Sequence, residues 1–597
     1  MRGKKPTKSV GIVVATVLVG CLVLAGCSSS SGSSTSTTGQ SSSPSTGSLG
    51  ADPANQSAGD PSQGGYTPTG PLLADDGFRP QTNGFGTQNY GDVLSDNSTP
   101  VNLSAAQMQT FFGNGVCVDA TASTCTLNPE AQAWMDKTNA SMAGGHCFGF
   151  SVAAQLFWTG TAKPSDYGAA ATPSLTIPGN TALQQDIAYT WAFQTLSSVN
   201  NSVIKGTPVD IVNKLKAVLQ PNPTETYTVA IFKADGTGGH AVTPYAIEDA
   251  GGGIDNILIY DNNYPGITRK ITVDTNANTW QYNAAINPSA PSELYQGDAN
   301  TMSMSLYPTT PGLGSQPNPF SGTAASGATG STSALRTGNA ANTATLTDQT
   351  ATSPAMDQIW LDGSDTGHGH LVITDDQGHQ LGIVNGTLVN NIPGAQVEEQ
   401  FQDKDWQVAE EPNYYVPDGT KFTVTLDGTD LKKADQESVG VIGPSFDLAV
   451  DNINLQPKEK DTLDIGADAT HWTYSASSVQ SPEISLGVSD NSADYTFDVK
   501  GDSVPAGGTT TVDLPGEGGS LTLGTAASAG KGNFTMAMER DDASSGQVSN
   551  FSHSGISLAG GDTAELQFGQ WTPGGSIPLV ITQGGTQHTE SLSDTAK

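Results

Sequence analysis

The chain has 597 residues, with 24 Lys and Arg against 58 Asp and Glu, and a formal net charge of −34. So acidic a chain lacks the clustered cations that phosphate contact requires, which excludes nucleic acid as a partner. Seventy Gly, 34 Pro and only 14% charged residues exclude long helical arrays and favour strands, turns and linkers over two to four domains.

The first elements read as an address. Arg2, Lys4, Lys5 and Lys8 precede an apolar run from Val10 to Leu24, the pattern of a secretory signal too short to span a bilayer. Leu24-Ala25-Gly26-Cys27 resembles a bacterial lipobox, which implies lipidation at Cys27 after loss of residues 1–26, an extracytoplasmic location and a membrane anchor. Residues 28 to 51 are Ser-, Thr- and Gly-rich and carry no charge, so 27–74 is expected to be a tether without a fold. Cys117, Cys125 and Cys147 remain; the closely spaced Cys117 and Cys125 are expected to pair, leaving Cys147 as a thiol.

A globular domain is expected over 75–308. Asn128-Pro129-Glu130 combines an N-cap, a proline at N1 and a first-turn acid, predicting a helix to about Ala143. Gly144-Gly145 then leads into a helix from Cys147 to about Trp158. Further helices are expected over 181–198 and from Thr207-Pro208 to about Gln220. The period then becomes two, with strands at Tyr227–Phe232, Ala241–Ile247, Ile257–Tyr260, Arg269–Val273 and Trp280–Tyr282. Helices followed by strands imply an α+β domain. A Gly-, Ser-, Thr-, Ala- and Pro-rich stretch, 309–354, reads as a linker. Beyond it, alternation at Phe422-Val424-Leu426, Tyr495-Phe497-Val499 and Phe534-Met536-Met538 predicts one or two all-β sandwich domains, divided as 355–457 and 458–597, with no clear internal repeat.

The chemistry centres on Gly144-Gly145-His146-Cys147-Phe148-Gly149. A helix N-terminus carries partial positive charge and favours the thiolate of a cysteine placed there. The domain offers two histidines as a base. His146 is adjacent and would point elsewhere, whereas His240 opens a strand after Gly238-Gly239. If the next strand runs antiparallel, its end, Asp261-Asn262, lies beside His240 and can orient the imidazole.

A helix-borne Cys, a distant His at a strand start and an Asp or Asn after the next strand resemble the papain-like cysteine peptidases. The resemblance covers 75–308 and implies a helical half bearing Cys147 as nucleophile and a strand half bearing His240 as general base. Asp261 would orient the imidazole, with Asn262 as its alternate. The Cys-Gly-Ser-Cys-Trp signature of plant and lysosomal members is absent. At the position of their oxyanion Gln stands Ser141; Gln132 lies too far upstream to map, and Asn139 is the alternate donor.

The implied activity is hydrolysis of peptide or amide bonds in a peptide or protein substrate, without metal or organic cofactor. The competing readings are a binding or adhesion protein that uses the same domains as scaffold, and a peptidoglycan amidase. His368-Gly369-His370 carries two imidazoles on one strand face, but no Cys or third His lies nearby, so a solvated strand edge is the expectation.

Overall fold

This computed structural model describes residues 65–118, 125–233, 239–284, 293–320, 355–363, 367–398, 411–489, 493–501, 504–514, 519–526, 531–542, 547–569 and 571–594. The signal segment, Cys27 and the tether up to residue 64 lie outside these residues, as do linker residues 321–354. The described chain is mostly β-sheet, with its helices concentrated before residue 220. Among the described residues, no helix is long and apolar enough to cross a membrane.

The helices form where the capping residues stand. Asn128 accepts from the Ala131 N–H at 3.1 Å and opens the helix Pro129–Ser141. Thr207 and Asp210 build a reciprocal capping box on Pro208–Val218. The cysteine helix runs Cys147–Thr159 and ends on Gly160 in the left-handed region. The helix expected over 181–198 stops at Trp191 and continues as one 3-10 turn and the short helix Ser197–Asn200. Gln194 and Thr195 donate to the carbonyls of Trp191 and Ala192, and such local side-chain bonds compete with helix continuation.

The first sheet has nine strands. Its spatial order is Ile204–Lys205, Met304–Pro308, Tyr227–Phe232, Gly239–Gly251, Ile254–Tyr260, Thr268–Asp274, Thr279–Ala284 and Glu293–Asp298, and Leu72–Asp75 pairs with Gly239–Gly251. Both central faces are covered. Ala230, Ala241, Leu258 and Tyr260 join the core around the cysteine helix, while Val229, Ile231, Val242, Ile257 and Ile259 join the core under Pro208–Val218. Burial on two faces explains why these strands read as continuous apolar runs.

Packing extends past the expected limits of this domain at both ends. Before residue 75, the N–H groups of Thr69 and Gly70 donate to Glu248, and Tyr66 donates to the same carboxylate. After 308, Gln316 donates from its backbone to Phe111, and the Phe320 ring packs edge-on against Phe112 and Trp134.

The described residues between 355 and 594 form a nine-stranded and an eleven-stranded sheet around one hydrophobic core. Pairing continues across residue 458: Phe422 is opposite Ile465, and Phe446 is opposite Val488. The sheets therefore run through both of the segments expected as separate sandwiches.

A structural repeat underlies this continuity, where the sequence pattern had suggested none. Among the described residues, four of the crossings from the nine-stranded to the eleven-stranded sheet share one turn geometry. The N–H groups of Thr420, Glu459, Gly508 and Asp562 donate to the carbonyls three residues earlier, on Pro417, Gln456, Pro505 and Ala559. The third turn residue has positive φ each time: Gly419 at 80°, Lys458 at 72°, Gly507 at 73° and Gly561 at 87°. These are type II turns.

Candidate active site

The cysteine helix meets the sheet at its first turn. Gly149, its third residue, allows the approach of the helix Thr181–Trp191: a Cβ here would stand 2.2 Å from the Ile187 carbonyl oxygen. The Thr190 hydroxyl lies 3.1 Å from the Gly149 carbonyl and shares its one proton with the carbonyls of Asp186 and Ile187 in its own helix. On the sheet side, Ser151 donates to the carbonyl of Ala241, the residue after His240, at 3.2 Å.

His240 and Asp261 are brought together as antiparallel pairing requires. Thr243 is opposite Tyr260, so the start of one strand lies beside the end of the next. His240 Nε2 is 2.9 Å from Asp261 Oδ1, and both residues are fully buried. Asp261 also accepts from the Asn263 N–H at 2.9 Å and from the Tyr282 hydroxyl at 2.5 Å. Burial alone would push the Asp261 carboxyl up. His240, Tyr282 and the Asn263 N–H outweigh it and hold the carboxyl below its ordinary value. Burial and the Asp261 charge raise the Tyr282 hydroxyl well above 10, so it stays a donor. Arg269, itself buried, stacks its guanidinium 4.0 Å over the Tyr264 ring and 5.8 Å from that of Tyr282. The Asp261 charge is one of the causes that hold the Arg269 guanidinium above its ordinary value.

Asn262 has a different place from that of an alternate to Asp261. Its Nδ2 donates to the Cys147 carbonyl at 2.9 Å and to the Ala241 carbonyl at 3.0 Å. It thus ties the first turn of the cysteine helix to the histidine strand. Cys147 is buried and outside any disulfide, whereas Cys117 and Cys125 are joined, as their spacing suggested.

His146 is held away from base chemistry. Its Nδ1 and Nε2 lie 2.9 Å from the Tyr90 carbonyl and from Asn102 Oδ1, and its ring is tilted over that of Tyr90. Burial pushes the imidazole down to about 4, which leaves it neutral.

The candidates for an oxyanion donor upstream of Cys147 are engaged elsewhere. Asn139 accepts from the Leu103 N–H at 2.9 Å and donates to the Leu103 carbonyl at 3.1 Å. Gln132 donates to Asp136, and Ser141 to the Lys137 carbonyl. Asn89 stands in the expected neighbourhood instead. Its Oδ1 accepts from the N–H groups of Tyr90 and His146, both at 2.8 Å, which fixes the carboxamide orientation. Its Nδ2 is buried with no acceptor among the described residues, and its own N–H donates to the Asn262 carbonyl. Neither a spacing nor a motif in the sequence marks Asn89, which lies 58 positions before Cys147.

Residues 76–105 are woven into this region. Phe78 and Phe85 are fully buried, and the Phe85 N–H donates to the Tyr260 hydroxyl. Asn89 and Tyr90 hold His146 as described. In comparisons with known proteins, no family model, no curated protein and no solved structure matches this chain.

Proposed function

We propose that the domain spanning residues 65–320 is a papain-like cysteine hydrolase acting on peptide or amide bonds. The observation that carries this reading is the 2.9 Å contact between His240 Nε2 and Asp261 Oδ1 beside the N-terminal turn of the Cys147 helix. With Nε2 held by Asp261, Nδ1 is the nitrogen that exchanges a proton with the thiol. The Cys147 sulfur attacks the scissile carbonyl carbon, a C–S bond forms, and the C–N bond breaks as His240 protonates the leaving amine. Water, deprotonated by His240, then cleaves the thioester and restores the thiol. Asp261 keeps the imidazole in one tautomer and stabilises its cation. Asn89 Nδ2 is the candidate oxyanion donor.

A second reading, a non-catalytic binding scaffold, draws on one observation: Cys147 and His240 have no exposed surface. Iodoacetamide labelling of the ectodomain between pH 5 and 9, mapped by mass spectrometry, separates the two. Fast alkylation of Cys147 at pH 6 that His240→Ala abolishes supports the hydrolase. A thiol that reacts only near the ordinary value of about 8.5, or not at all, supports the scaffold.

The same proposal includes attachment of the protein to the outer face of a bacterial membrane through a lipid on Cys27. Loss of detergent-phase partitioning in Cys27→Ala tests it.

A further inference from the structure

We propose that His368, His370 and Glu411 bind one divalent transition-metal ion of the zinc class, at the rim where the two C-terminal sheets meet. One ligand atom from each of the three lies within 4.8 Å of the others. The two imidazole rings are 5.8 Å apart and nearly perpendicular, at 81°, so they flank a common space. The third ligand comes from 41 positions beyond His370, which is why His368-Gly369-His370 reads as an isolated pair in the sequence.

The surroundings are those of ligands held in place. His368 Nδ1 lies 2.6 Å from the Gly369 carbonyl oxygen, which puts its proton on Nδ1 and its lone pair on Nε2. Glu411 Oε1 accepts from the Leu371 N–H at 2.7 Å and from the Tyr414 hydroxyl at 2.6 Å. Those bonds orient the carboxylate and leave Oε2 turned to His370 Nδ1 at 2.8 Å. An ion bound by both atoms takes the place of the shared proton, which passes to solvent. Ligand bonds of about 2.0–2.2 Å require the two atoms to separate by only about half an ångström.

The neighbouring carboxyl groups hold the same segment. Glu437 accepts from the Gly369 N–H at 2.6 Å through Oε1, and its carboxyl is hydrogen-bonded to that of Asp435. Glu437 Oε2, Asp435 Oδ2 and the Cβ of His368 all lie within 3.1 Å of the point where a Cβ on Gly363 would stand. Two carboxyl groups therefore converge beside Gly363 and His368. Imidazole nitrogens with one carboxylate form a borderline donor set suited to zinc, and three protein ligands leave a fourth position for water.

The site joins elements that otherwise belong to different sheets. His370 opens a strand of the eleven-stranded sheet, whereas Glu411 precedes Asn413–Pro417 and Glu437 lies on Asp435–Ile442, both in the nine-stranded sheet. A bound ion clips the sheets at this rim and adds its binding free energy to their stability.

The test is zinc titration of the full chain after dialysis against chelator, followed by calorimetry and X-ray absorption spectroscopy. The expected result is one ion per chain with two imidazole ligands, and affinity at least tenfold weaker in His370→Ala and in Glu411→Gln. His379→Ala, a change at an exposed histidine in the turn before Gln380–Val384, should bind as wild type does. No tight zinc, or tight zinc unaffected by both substitutions, overturns the proposal. If the substitutions prevent folding, the wild-type absorption spectrum decides, because a site with fewer than two imidazoles also overturns it.

Discussion

Asn262 Nδ2 lies 2.9 Å from the carbonyl oxygen of Cys147. The same nitrogen donates to Ala241, so one buried amide sets the spacing between the cysteine helix and the histidine strand. Asn262 is a positioning residue on this geometry. Asn262→Ala leaves two buried carbonyls without this donor and should cost about 1–3 kcal/mol of stability. Under the hydrolase reading it should lower kcat with little change in KM, and it should slow Cys147 alkylation at pH 6. Asn262→Asp, which removes the donor and adds a buried charge, should be worse on both counts. Denaturant unfolding alongside the labelling assay checks this; unchanged labelling in a folded Asn262→Ala would refute the positioning role.

Asp261 predicts a specific pH dependence. Its folded pKa lies below the ordinary value, so its contribution is present above about 3.9 and is lost as pH falls through the lower folded value. Asp261→Asn should therefore be less stable than wild type at pH 7, by about 3–5 kcal/mol for a broken buried pair. The difference should shrink as pH falls below about 4. The same variant should lose about 10²–10⁴ in turnover, because the imidazole loses the partner that fixes its tautomer. Tyr282→Phe removes one of the donors to this carboxylate and should cost about 1.5–3 kcal/mol. Acid unfolding curves of the three proteins, with hydrolysis rates, measure both effects.

The parts of this site that sequence exposes are those carried by local signals. Asn128 and Thr207 announce their helices because a cap acts within a few residues. The adjacency of His240 and Asp261 follows from one antiparallel connection, since strand direction alone decides which ends meet. Tyr282, Arg269 and Asn89 carry no such signal. Tyr282 reaches Asp261 from the later strand Thr279–Ala284, Arg269 reaches the Tyr282 ring from Thr268–Asp274, and Asn89 arrives from a loop far upstream of Cys147. Glu411 is hidden in the same way from the two histidines. The four sheet-crossing turns escaped notice for another reason. They recur after 39, 49 and 54 residues, so no fixed period exists, and Lys458 breaks the glycine pattern at the one position that defines the turn.

Asn89 and Asn139 offer a direct contrast. Both are upstream carboxamides, but Asn139 is bonded to the Leu103 backbone at both ends, whereas Asn89 retains a buried Nδ2 beside His146. An oxyanion donor should cost about 10²–10³ in kcat when removed. Asn89→Ala should show that loss under the hydrolase reading, with KM nearly unchanged, while Asn139→Ala should affect stability and leave kcat near wild type. Equal kcat for the two variants would assign Asn89 a structural role only.

Asp357 should respond to pH with the opposite sign from Asp261. It is 2% exposed, its Oδ1 has no donor among the described residues, and burial together with the Asp418 charge pushes its carboxyl up to about 8. A raised folded pKa means stability that is fully present below the unfolded value, about 3.9, and is lost as pH rises towards 8. Asp357→Asn removes this loss. It should match wild type near pH 4 and exceed it at pH 8, by at most about 5 kcal/mol on a shift of some four units. Thermal unfolding at the two pH values checks the sign. A variant less stable than wild type at pH 8 would mean that Asp357 is ionised and paired in the folded chain.

Lys458 tests the equivalence of the four crossing turns. At φ 72° it occupies the position held by Gly419, Gly507 and Gly561, and a residue with a Cβ is disfavoured there by about 1–2 kcal/mol. Glycine costs about 0.4–1 kcal/mol through the greater freedom of the unfolded chain, so Lys458→Gly should stabilise by a net value of about 0.5–1 kcal/mol. The backbone N–H of residue 458, which donates to Gly428 at 2.7 Å, is retained. In the reverse direction, a Cβ on Gly419, Gly507 or Gly561 meets nothing within 4 Å, so alanine at each site incurs only the backbone term. Less the unfolded-state entropy that alanine saves, the three variants should therefore lose nearly equal amounts, about 0.5–1 kcal/mol each. Urea unfolding of the four variants reads this from the midpoints at constant slope. Unequal losses among the three would show that the turns share a backbone shape without sharing an energetic role, because space around the added methyl group cannot account for the difference.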